Sequence, residues 1–395
     1  MGNVILMVNM PARGHVFPTL ALVAGLVERG HRVVYTAVGE YADLVRSAGA
    51  EVLSYDSVDP MSVIGGADSG RVPLLLLDEC EAIIRAARAH FADAPPDLVA
   101  YDGALLQAGR ILARVWGRPA TQLSPVFASN EHYSFPEQMM KAAGPASMDN
   151  GVMAEFFPRM AGMLAAHGVE LDPMELVTAV EGQNLVFLAR EFQPAGATFD
   201  DRFAFVGPCL GERGFLGDWR PPSDGRPVVL VTLGTVHNGD TEFFRSCLAA
   251  FADGPWHVVI SVGEGVDPAD LGAPPKNVEI HRWVPHLKVL EHADAFVTHG
   301  GMGSVNEALY WGCPMVVVPP WPDVVPNAWR LVELGIARQL DPTEISADLL
   351  RESVAAVTDD PEMRERARQM RTHTREAGGA SRAVEELEAY LQRAA

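Results

Sequence analysis

Hydrophobic and polar positions along the chain predict a repeated alternation of strands and helices. Val4–Met10 is apolar except for Asn9, a pattern typical of a strand buried on both faces of a sheet. A turn with Gly14 follows, and we place Pro18 at the first position of a helix that ends near Gly30, because a missing N–H costs nothing there. Arg32–Val38 is predicted as the next strand. This β-α-β order predicts a parallel, doubly wound sheet.

The same pattern continues through the chain with one interruption. Further strands predicted in the first half are Glu51–Tyr55, Asp97–Asp102 and Ala120–Leu123, with helices at about 78–94 and Ala104–Val115. Residues 207–227 contain Gly, Pro, Asp and Arg with little apolar pattern, which is typical of a linker. Beyond them we predict strands Val228–Leu233, Trp256–Val262, Val278–Arg282, Ala295–Thr298 and Met315–Val318, helix Glu242–Phe251, and charged amphipathic helices over about 347–392. We therefore expect domains at 1–208 and 228–376, joined by a linker at 209–227.

Composition and charge narrow the possible functions. The chain has 395 residues, which suits two domains better than a single core. Its 31 Lys and Arg against 51 Asp and Glu give a net charge of −20, which argues against nucleic acid or an anionic membrane as a partner. Four cysteines without metal-ligand spacing, together with the absence of a signal peptide or a transmembrane-length apolar run, predict a cytoplasmic protein with reduced thiols.

A glycine-rich segment, Phe296–Leu309, carries the strongest functional signal. It contains the end of a strand, a turn and the start of a helix, where backbone N–H groups and the helix dipole favour an anion. His299 and Ser304 add side-chain donors, and Glu307 lies where it can reach two ribose hydroxyls. The glycines that allow a phosphate close to the backbone are Gly300, Gly301 and Gly303. The segment predicts a nucleotide site, with the alternative that Ser304 and Glu307 form a capping box that only starts a helix.

Two titratable residues in the first half suggest acid–base chemistry. His15 lies just beyond the first strand, and Asp102 ends another strand of the same predicted sheet. The carboxyl ends of parallel strands line the ligand crevice of doubly wound sheets. An aspartate beside a histidine holds one tautomer and favours the protonated ring, which suits a general base. Spacing alone leaves open that His15 bonds locally and that Asp102 caps a helix.

Residues 125–180 are rich in Met, Phe, Tyr and Pro and have weak periodicity. Such adaptable side chains suit a pocket for a bulky apolar ligand. They also suit helices packed on the sheet, and we favour that interpretation for the majority of them. The candidate contacts to an apolar ligand are Phe127, Tyr133, Met139, Met140, Phe156 and Met160.

Together, these motifs resemble the family 1 glycosyltransferases of the GT-B fold, and among them the bacterial macrolide glycosyltransferases. The matching pieces, in chain order, are R-G-H-V-F-P-T-L, D-L-V-A-Y-D, V-G-P, V-T-L-G-T, H-R-W-V-P-H, T-H-G-G-M-G-S-V-N-E-A, D-V-V-P-N-A and V-E-L-G. The resemblance spans nearly the whole chain. It implies two Rossmann-like doubly wound domains facing each other across a cleft, with the final helix, about 377–395, packed back on the first domain.

The resemblance also implies a reaction and a set of site residues. The reaction would be inverting transfer of a sugar from a UDP- or dTDP-sugar to a hydroxyl of a hydrophobic natural product, such as a macrolide or other polyketide. His15 would be the general base and Asp102 its orienting partner, with no cofactor and no metal. The nucleotide would bind Trp283, Val284, Thr235, His299, Gly301, Gly303, Ser304 and Glu307. The sugar would face Asp323 and Val324.

Two positions depart from the family pattern. Val324 stands where glutamine is common after an acidic residue, and valine cannot bond sugar hydroxyls as that amide does. We therefore expect a deoxysugar donor, or another hexose without a partner for the amide. His286 follows W-V-P where glutamine is usual, and the direction of its effect is open.

Other functions are compatible with parts of the pattern. A nucleotide-sugar 2-epimerase has the same fold, but it lacks the apolar acceptor pocket that residues 125–180 suggest. A catalytically inactive partner of a transferase would not need both His15 and Asp102. A nicotinamide dehydrogenase would show G-x-G-x-x-G after the first strand, where this chain reads P-A-R-G-H-V. The expected partners are a sugar donor and a hydrophobic acceptor, without nucleic acid or a membrane span. A homodimer, and a role in antibiotic biosynthesis or in resistance, stay open.

Overall fold

A computed structural model describes residues 2–63, 69–144, 150–211, 218–234 and 239–394. The chain divides into an N-terminal unit and a C-terminal unit. The N-terminal unit comprises Met1–Ser134, Gly144–Gly211 and Ala377–Ala395, and the C-terminal unit comprises Phe135–Ala143 and Glu212–Glu376. The short segment Phe135–Ala143 thus packs with the C-terminal unit, although it lies within the predicted domain 1–208.

The N-terminal unit is built on a parallel sheet of seven strands. They are β1 (Val4–Val8), β2 (Arg32–Thr36), β3 (Glu51–Leu53), β4 (Leu98–Asp102), β5 (Ala120–Ser124), β6 (Gln183–Val186) and β7 (Phe203–Phe205). Their order across the sheet is β3-β2-β1-β4-β5-β6-β7. The chain changes winding direction between β1 and β4, so a ligand crevice is expected at the carboxyl ends of these two strands. The sequence pattern missed β6 and β7.

The C-terminal unit repeats this plan with six parallel strands. They are β8 (Val228–Thr232), β9 (His257–Ser261), β10 (Val278–His281), β11 (Ala293–Thr298), β12 (Met315–Val317) and β13 (Ala337–Gln339). Their order is β10-β9-β8-β11-β12-β13, which places the change of direction between β8 and β11. The sequence pattern missed β13. The predicted α/β class, with two Rossmann-like doubly wound sheets, is confirmed.

The helices connect these strands. In chain order the α-helices are α1 (Arg13–Glu28), α2 (Tyr41–Ser47), α3 (Val72–His90), α4 (Leu106–Trp116), α5 (Phe135–Ala143), α6 (Asn150–Ala166), α7 (Pro173–Thr178), α8 (Thr241–Phe251), α9 (His286–Leu290), α10 (Met302–Trp311), α11 (Val325–Glu333), α12 (Ala347–Asp359), α13 (Pro361–Glu376) and α14 (Gly379–Ala394). Over the described ranges, none of them has both the length and the apolar character needed to cross a membrane.

The core of the N-terminal unit lies on both faces of its sheet. Along β1, Ile5 and Met7 pack in a cluster with residues of α1 and α14, whereas Leu6 and Val8 pack in a second cluster with residues of α3, α4 and α6. Burial on both faces explains why the first strand reads as an unbroken apolar run. It also means that any polar side chain near this strand must find a partner inside the protein.

The last helix belongs to the N-terminal unit. Gly378 has a φ of +97°, a conformation that favours glycine. The N–H of Gly379 donates to the carbonyl of Val206 at 2.6 Å. Val384 and Leu387 of α14 are buried in the same cluster as Ile5 and Met7. The final turns of the chain are therefore part of the core around β1.

All four cysteines lie within the described residues as buried free thiols. Burial raises the pKa of Cys80 and of Cys209 to about 12. These thiols stay protonated near neutral pH, which fits residues used for packing.

Candidate active site

His15 lies in the first turn of α1, directly after β1. The helix begins at Arg13 with Ala12 as its N-cap, so Pro18 lies inside it. The predicted start at Pro18 is wrong, because the carbonyl of Ala12 already accepts the N–H of Val16 at 2.9 Å. The first helical turn therefore holds His15 at the carboxyl edge of the sheet.

His15 and Asp102 form a close pair. Nδ1 of His15 lies 2.7 Å from Oδ2 of Asp102, whose side chain is 2% exposed. The other carboxylate oxygen, Oδ1, accepts the N–H of Ala104 at 2.7 Å and caps the short 3-10 helix Gly103–Leu105. Asp102 therefore does both things that the sequence left open: it pairs with His15, and it caps a helix. Because β1 and β4 are neighbours in the sheet, residues far apart in sequence meet at this edge.

The electrostatics of this pair favour a protonated imidazole. Burial lowers the pKa of His15, but the charge of Asp102 and the hydrogen bond to it raise the pKa, and the net result lies above the ordinary 6.5. The side chain of His15 stays 26% exposed, so the ring is accessible. An ionised carboxylate only accepts hydrogen bonds, so Nδ1 carries the proton. Nε2 is then the basic atom of the neutral ring.

The glycine-rich segment folds as β11, a turn and α10. Gly301 is the N-cap of α10 and provides no side-chain acceptor for the first N–H groups of the helix. Because the helix begins at Met302, Ser304 and Glu307 lie inside it, and the capping-box alternative is wrong. The start of α10 thus presents backbone donors and the positive end of a helix dipole.

Two glycines enclose the ring of His299. A Cβ at Gly234 would lie 2.5 Å from Cε1 of His299, and a Cβ at Gly301 would lie 2.3 Å from its Nε2. Gly234 and Gly300 have φ values of +79° and +86°, which favour glycine. The imidazole is therefore fixed where the ends of β8 and β11 meet. A Cβ at Gly303, by contrast, would meet no other described residue within 4 Å beyond its own helix.

Asn327 supports this turn, and the sequence interpretation missed its role. Its side-chain amide donates to the carbonyl of Gly300 at 2.9 Å, and the residue is buried in the first turn of α11. The sequence offered only its place in D-V-V-P-N-A as a signal. Gly234 lies in V-T-L-G-T, in the turn that follows β8. Thr235, the predicted diphosphate contact beside it, lies outside the described residues.

The predicted nucleoside contacts lie on neighbouring elements of the C-terminal unit. Glu307 is buried, and Oε2 of its carboxylate lies 3.9 Å from Nδ1 of His286, the first residue of α9. Trp283 is partly exposed after β10, and its Nε1 donates to the carboxylate of Glu264 at 2.7 Å. Val284 is buried. The structure thus brings His286, the second departure from the family pattern, next to the predicted ribose residue.

Asp323 and Val324 differ in exposure. Asp323 is exposed, whereas Val324 is buried and forms the N-cap of α11. The carbonyl of Val324 accepts the N–H of Asn327 at 3.1 Å. Val324 thus contributes to the start of a helix next to the glycine turn, and its side chain offers no hydrogen bond.

The predicted acceptor residues of the N-terminal unit are mainly packing residues. Met160 is 0% exposed in the cluster that α6 shares with α3 and α4, so its predicted ligand contact is wrong: the side chain has no accessible surface. Phe156 packs against the same cluster. Phe127 is buried, with ring centroids 5.3 Å from Phe192 and 6.0 Å from Tyr133. Tyr133 and Phe156 keep part of their surface accessible.

Met139 and Met140 lie on α5, which packs with α11 in the C-terminal unit. Met140 is 48% exposed. Next to it, Nζ of Lys141 lies 5.4 Å from the ring centroid of Trp329. These two methionines therefore belong to the unit of the glycine turn and not to that of His15.

A family model matches the part of the chain that contains the glycine turn. Residues 245–389 match the model described as Erythromycin biosynthesis protein CIII-like, C-terminal domain. The match includes Trp283, His299 and Glu307. It therefore covers the predicted nucleotide-binding residues other than Thr235, and it continues into α14.

Similarity to whole proteins covers both units. NDP-glycosyltransferase YjiC of Bacillus licheniformis is 38% identical over 97% of this chain and 96% of its own length. Demethyllactenocin mycarosyltransferase of Streptomyces fradiae is 36% identical over 98% of this chain and 86% of its own. The crystal structure of CalG4, the calicheamicin glycosyltransferase, matches with a TM-score of 0.89 at 41% identity and covers 100% of both chains. Two doubly wound sheets, each with a strand–turn–helix site, and these full-length matches show that the chain belongs to the family 1 glycosyltransferases of the GT-B fold.

Proposed function

We propose that this glycosyltransferase moves a sugar from a UDP- or dTDP-sugar to a hydroxyl group of a hydrophobic natural product, such as a macrolide or other polyketide. The observation that carries the proposal is the 2.7 Å contact between Nδ1 of His15 and Oδ2 of Asp102. An alcohol is a poor nucleophile and needs a base within hydrogen-bond reach. A partly exposed imidazole with a buried carboxylate behind it meets that need.

In this mechanism His15 is the general base. Nε2 takes the proton of the acceptor hydroxyl while its oxygen forms a bond to the anomeric carbon of the sugar. The bond from that carbon to the diphosphate oxygen breaks, and the configuration inverts because attack and departure take place on opposite sides. Asp102 stabilises the imidazolium that forms. Base catalysis of this kind typically contributes about 10² to 10⁴ in rate.

The start of α10 would hold the diphosphate. Backbone N–H groups of Gly303 and Ser304 and the ring of His299 are the proposed donors, with Thr235 as a further contact. The space around Gly303 supports this assignment, because no other described residue beyond its own helix would contact a Cβ there, which leaves room for a phosphate oxygen. With a net charge of −20, the chain is suited to bind phosphate by local dipoles and not by a basic surface. These donors act where charge develops on the leaving group, so we propose that no metal ion takes part.

The nucleoside would be bound by residues of β10, α9 and α10. We propose that Trp283 stacks on the pyrimidine, that Val284 lies beside it and that Glu307 binds the ribose hydroxyls. The hydrogen bond from Trp283 to Glu264 supports this role, because it fixes the edge of the indole. The sugar would face Asp323, with a deoxysugar favoured because Val324 cannot replace the amide common in the family.

The acceptor assignment rests on the relatives. Two of them, a demethyllactenocin mycarosyltransferase and a calicheamicin glycosyltransferase, support a natural-product acceptor. The accessible parts of Tyr133 and Phe156, both in the N-terminal unit, offer apolar surface for such a molecule. Met160 is excluded from this set by its burial.

The proposal is tested by binding and turnover together. UDP and dTDP are titrated by calorimetry into wild-type protein, His299→Ala and, as a control, His292→Ala, an exposed histidine of the same unit. Sugar transfer is then followed by mass spectrometry with panels of nucleotide sugars and apolar acceptors. We expect one diphosphate to bind, at least about tenfold weaker in His299→Ala and unchanged in the control.

The outcomes separate the alternative functions. A glycosylated acceptor supports the transferase proposal. Release of an altered sugar without any acceptor would indicate a 2-epimerase, and nucleotide binding without turnover would indicate an inactive partner protein. Failure to bind either pyrimidine diphosphate would overturn the proposal.

A further inference from the structure

A cluster of buried polar side chains lies beneath the turn that carries His15, and the mechanism above does not use it. Its members are Asn9, Thr19, Tyr35 and Thr36, each at most 2% exposed. They follow β1 or lie on α1 and β2, next to the apolar cluster that contains Ile5 and Met7. Polar groups in such surroundings lower stability unless they bond to one another.

Asn9 connects the strand to the helical turn. Its side-chain Nδ2 donates to the backbone carbonyl of His15 at 3.0 Å and also reaches the hydroxyl groups of Thr19, at 3.3 Å, and Tyr35. Its own N–H donates to Oγ1 of Thr36 at 3.1 Å. Asn9 thus bonds α1 on one side and β2 on the other.

The hydrogen bonds of Thr19 and Tyr35 fix which of the two hydroxyl groups is the donor and which the acceptor. Oγ1 of Thr19 donates to the carbonyl of Val16 at 2.8 Å, which uses its single proton. The hydroxyl of Tyr35, 2.7 Å away, must therefore donate to Thr19, and the Tyr35 oxygen accepts from Asn9. Burial raises the pKa of Tyr35 above its ordinary 10, so the tyrosine keeps this proton.

These bonds hold the backbone of His15. The N–H of His15 donates to the carbonyl of Ala12 at 3.0 Å, and the carbonyl of His15 accepts from Asn9. Few helical bonds are available in a first turn, so the added bond from Asn9 restricts it. Because Asn9 holds the backbone of His15, the hydrogen bond to Asp102 is enough to set the orientation of the imidazole ring.

We propose that Asn9, supported by Thr19 and Tyr35, is a positioning residue that aligns His15 with Asp102 and with the acceptor hydroxyl. The inference rests on the proposed role of His15 as general base. Proton transfer requires close alignment, and a displacement of about 1 Å can lower a rate about a hundredfold. A purely structural role would make Asn9 important for stability alone.

Matched variants separate positioning from stability. Asn9→Ala removes the amide, and Tyr35→Phe removes one hydroxyl while keeping the ring, in case Asn9→Ala does not fold. The control is Asn184→Ala: Asn184 is also buried and donates to the carbonyls of Glu181 and Arg202 at 3.1 and 3.3 Å. It lies on β6, which β4 and β5 separate from β1.

Three quantities are measured on each variant: the midpoint of thermal unfolding, kcat and KM over pH, and the pKa of the His15 ring by NMR. For Asn9→Ala we expect kcat to fall about tenfold to a hundredfold with the donor KM within about twofold. The pKa of His15 should move down toward 6.5 as the contact with Asp102 loosens. Tyr35→Phe should lower kcat and the pKa of His15 in the same way but by less. Asn184→Ala should lower the midpoint of thermal unfolding and leave kcat and the pKa of His15 unchanged.

The measurements also distinguish this inference from the proposed function. If Asn9→Ala and Tyr35→Phe keep both the kcat and the His15 pKa of the Asn184→Ala control, the positioning role is wrong. If the wild-type protein transfers no sugar but Asn9→Ala still lowers the pKa of His15, the proposed function fails and the alignment of His15 by Asn9 stands.

Discussion

The two strand–turn–helix sites of this protein are built alike but present different chemistry. After β1, the turn places one side chain, His15, against the carboxylate of Asp102 at 2.7 Å. After β11, the turn presents the backbone, with Gly300 at a φ of +86° and Gly301 as the N-cap of α10. The first site depends on a titratable atom and the second on N–H groups and a helix dipole.

The difference follows from what each proposed step requires. Proton transfer takes place at one atom, so its position must be held, and the buried amide of Asn9 bonds the turn that carries it. A diphosphate has many oxygens and is satisfied by several donors spread over a turn, provided that no side chain blocks its approach. In the proposed function, the same strand–turn–helix arrangement serves proton transfer at one site, supported by buried polar groups, and phosphate binding at the other, supported by glycines.

The largest effect is expected at the first site. His15→Ala removes the proposed base, so kcat should fall about 10² to 10⁴-fold, whereas the calorimetric Kd for the nucleoside diphosphate stays within about twofold. His132→Ala, an exposed histidine of the same unit, is the control and should keep wild-type turnover. If His15→Ala kept its activity, His15 would not be the general base, and the first site could not be called catalytic.

Asp102→Asn tests whether the negative charge of Asp102 is needed at that site. His15 accepts a proton only when neutral, so turnover rises with pH through its pKa. The carboxylate raises this pKa, so the amide should shift the acid limb of the kcat–pH profile to lower pH and lower the plateau about tenfold or more. A reduced plateau with an unmoved acid limb would mean that Asp102 acts through geometry alone.

Gly303→Ala should separate stability from binding at the second site. A Cβ there meets no other described residue within 4 Å beyond its own helix, so alanine should raise the free energy of unfolding by up to about 1 kcal/mol. The same methyl group would meet the phosphate, so the Kd for the nucleoside diphosphate should rise about tenfold. Gly162→Ala in α6, equally open, is the control and should stabilise without weakening binding. Unchanged binding in Gly303→Ala would place the diphosphate elsewhere.

Val324→Gln is expected to have the smallest effect. Glutamine restores the amide common in the family, so kcat/KM for a hexose with its full set of hydroxyls should rise a few-fold relative to a deoxysugar. The readout is competition between the two donors in one reaction, followed by mass spectrometry. An unchanged donor ratio would show that position 324 does not select the sugar, which fits its buried place at the start of α11.

The parts of the site predicted from the sequence are those encoded locally. Gly300, Gly301 and His299 lie in one short segment, and glycines after an apolar run indicate a turn that approaches a ligand. The start of α1 was predicted too late because Pro18 is a common helix-start signal. Met160 was predicted as a ligand contact because an adaptable apolar side chain looks the same in a pocket and in a core.

Length and the order of apolar runs determined two parallel α/β domains, because each run needs burial on both faces and a helix to return the chain. The glycine turn was also determined by the sequence, since backbone freedom is a property of the residue itself. Tertiary structure decided the rest. The contact of His15 with Asp102, the bonds of Asn9 to Tyr35 and Thr36 and the bond of Asn327 to Gly300 join segments that meet only when the sheets form. A hydrogen bond requires atoms about 3 Å apart, and that proximity is a property of the fold.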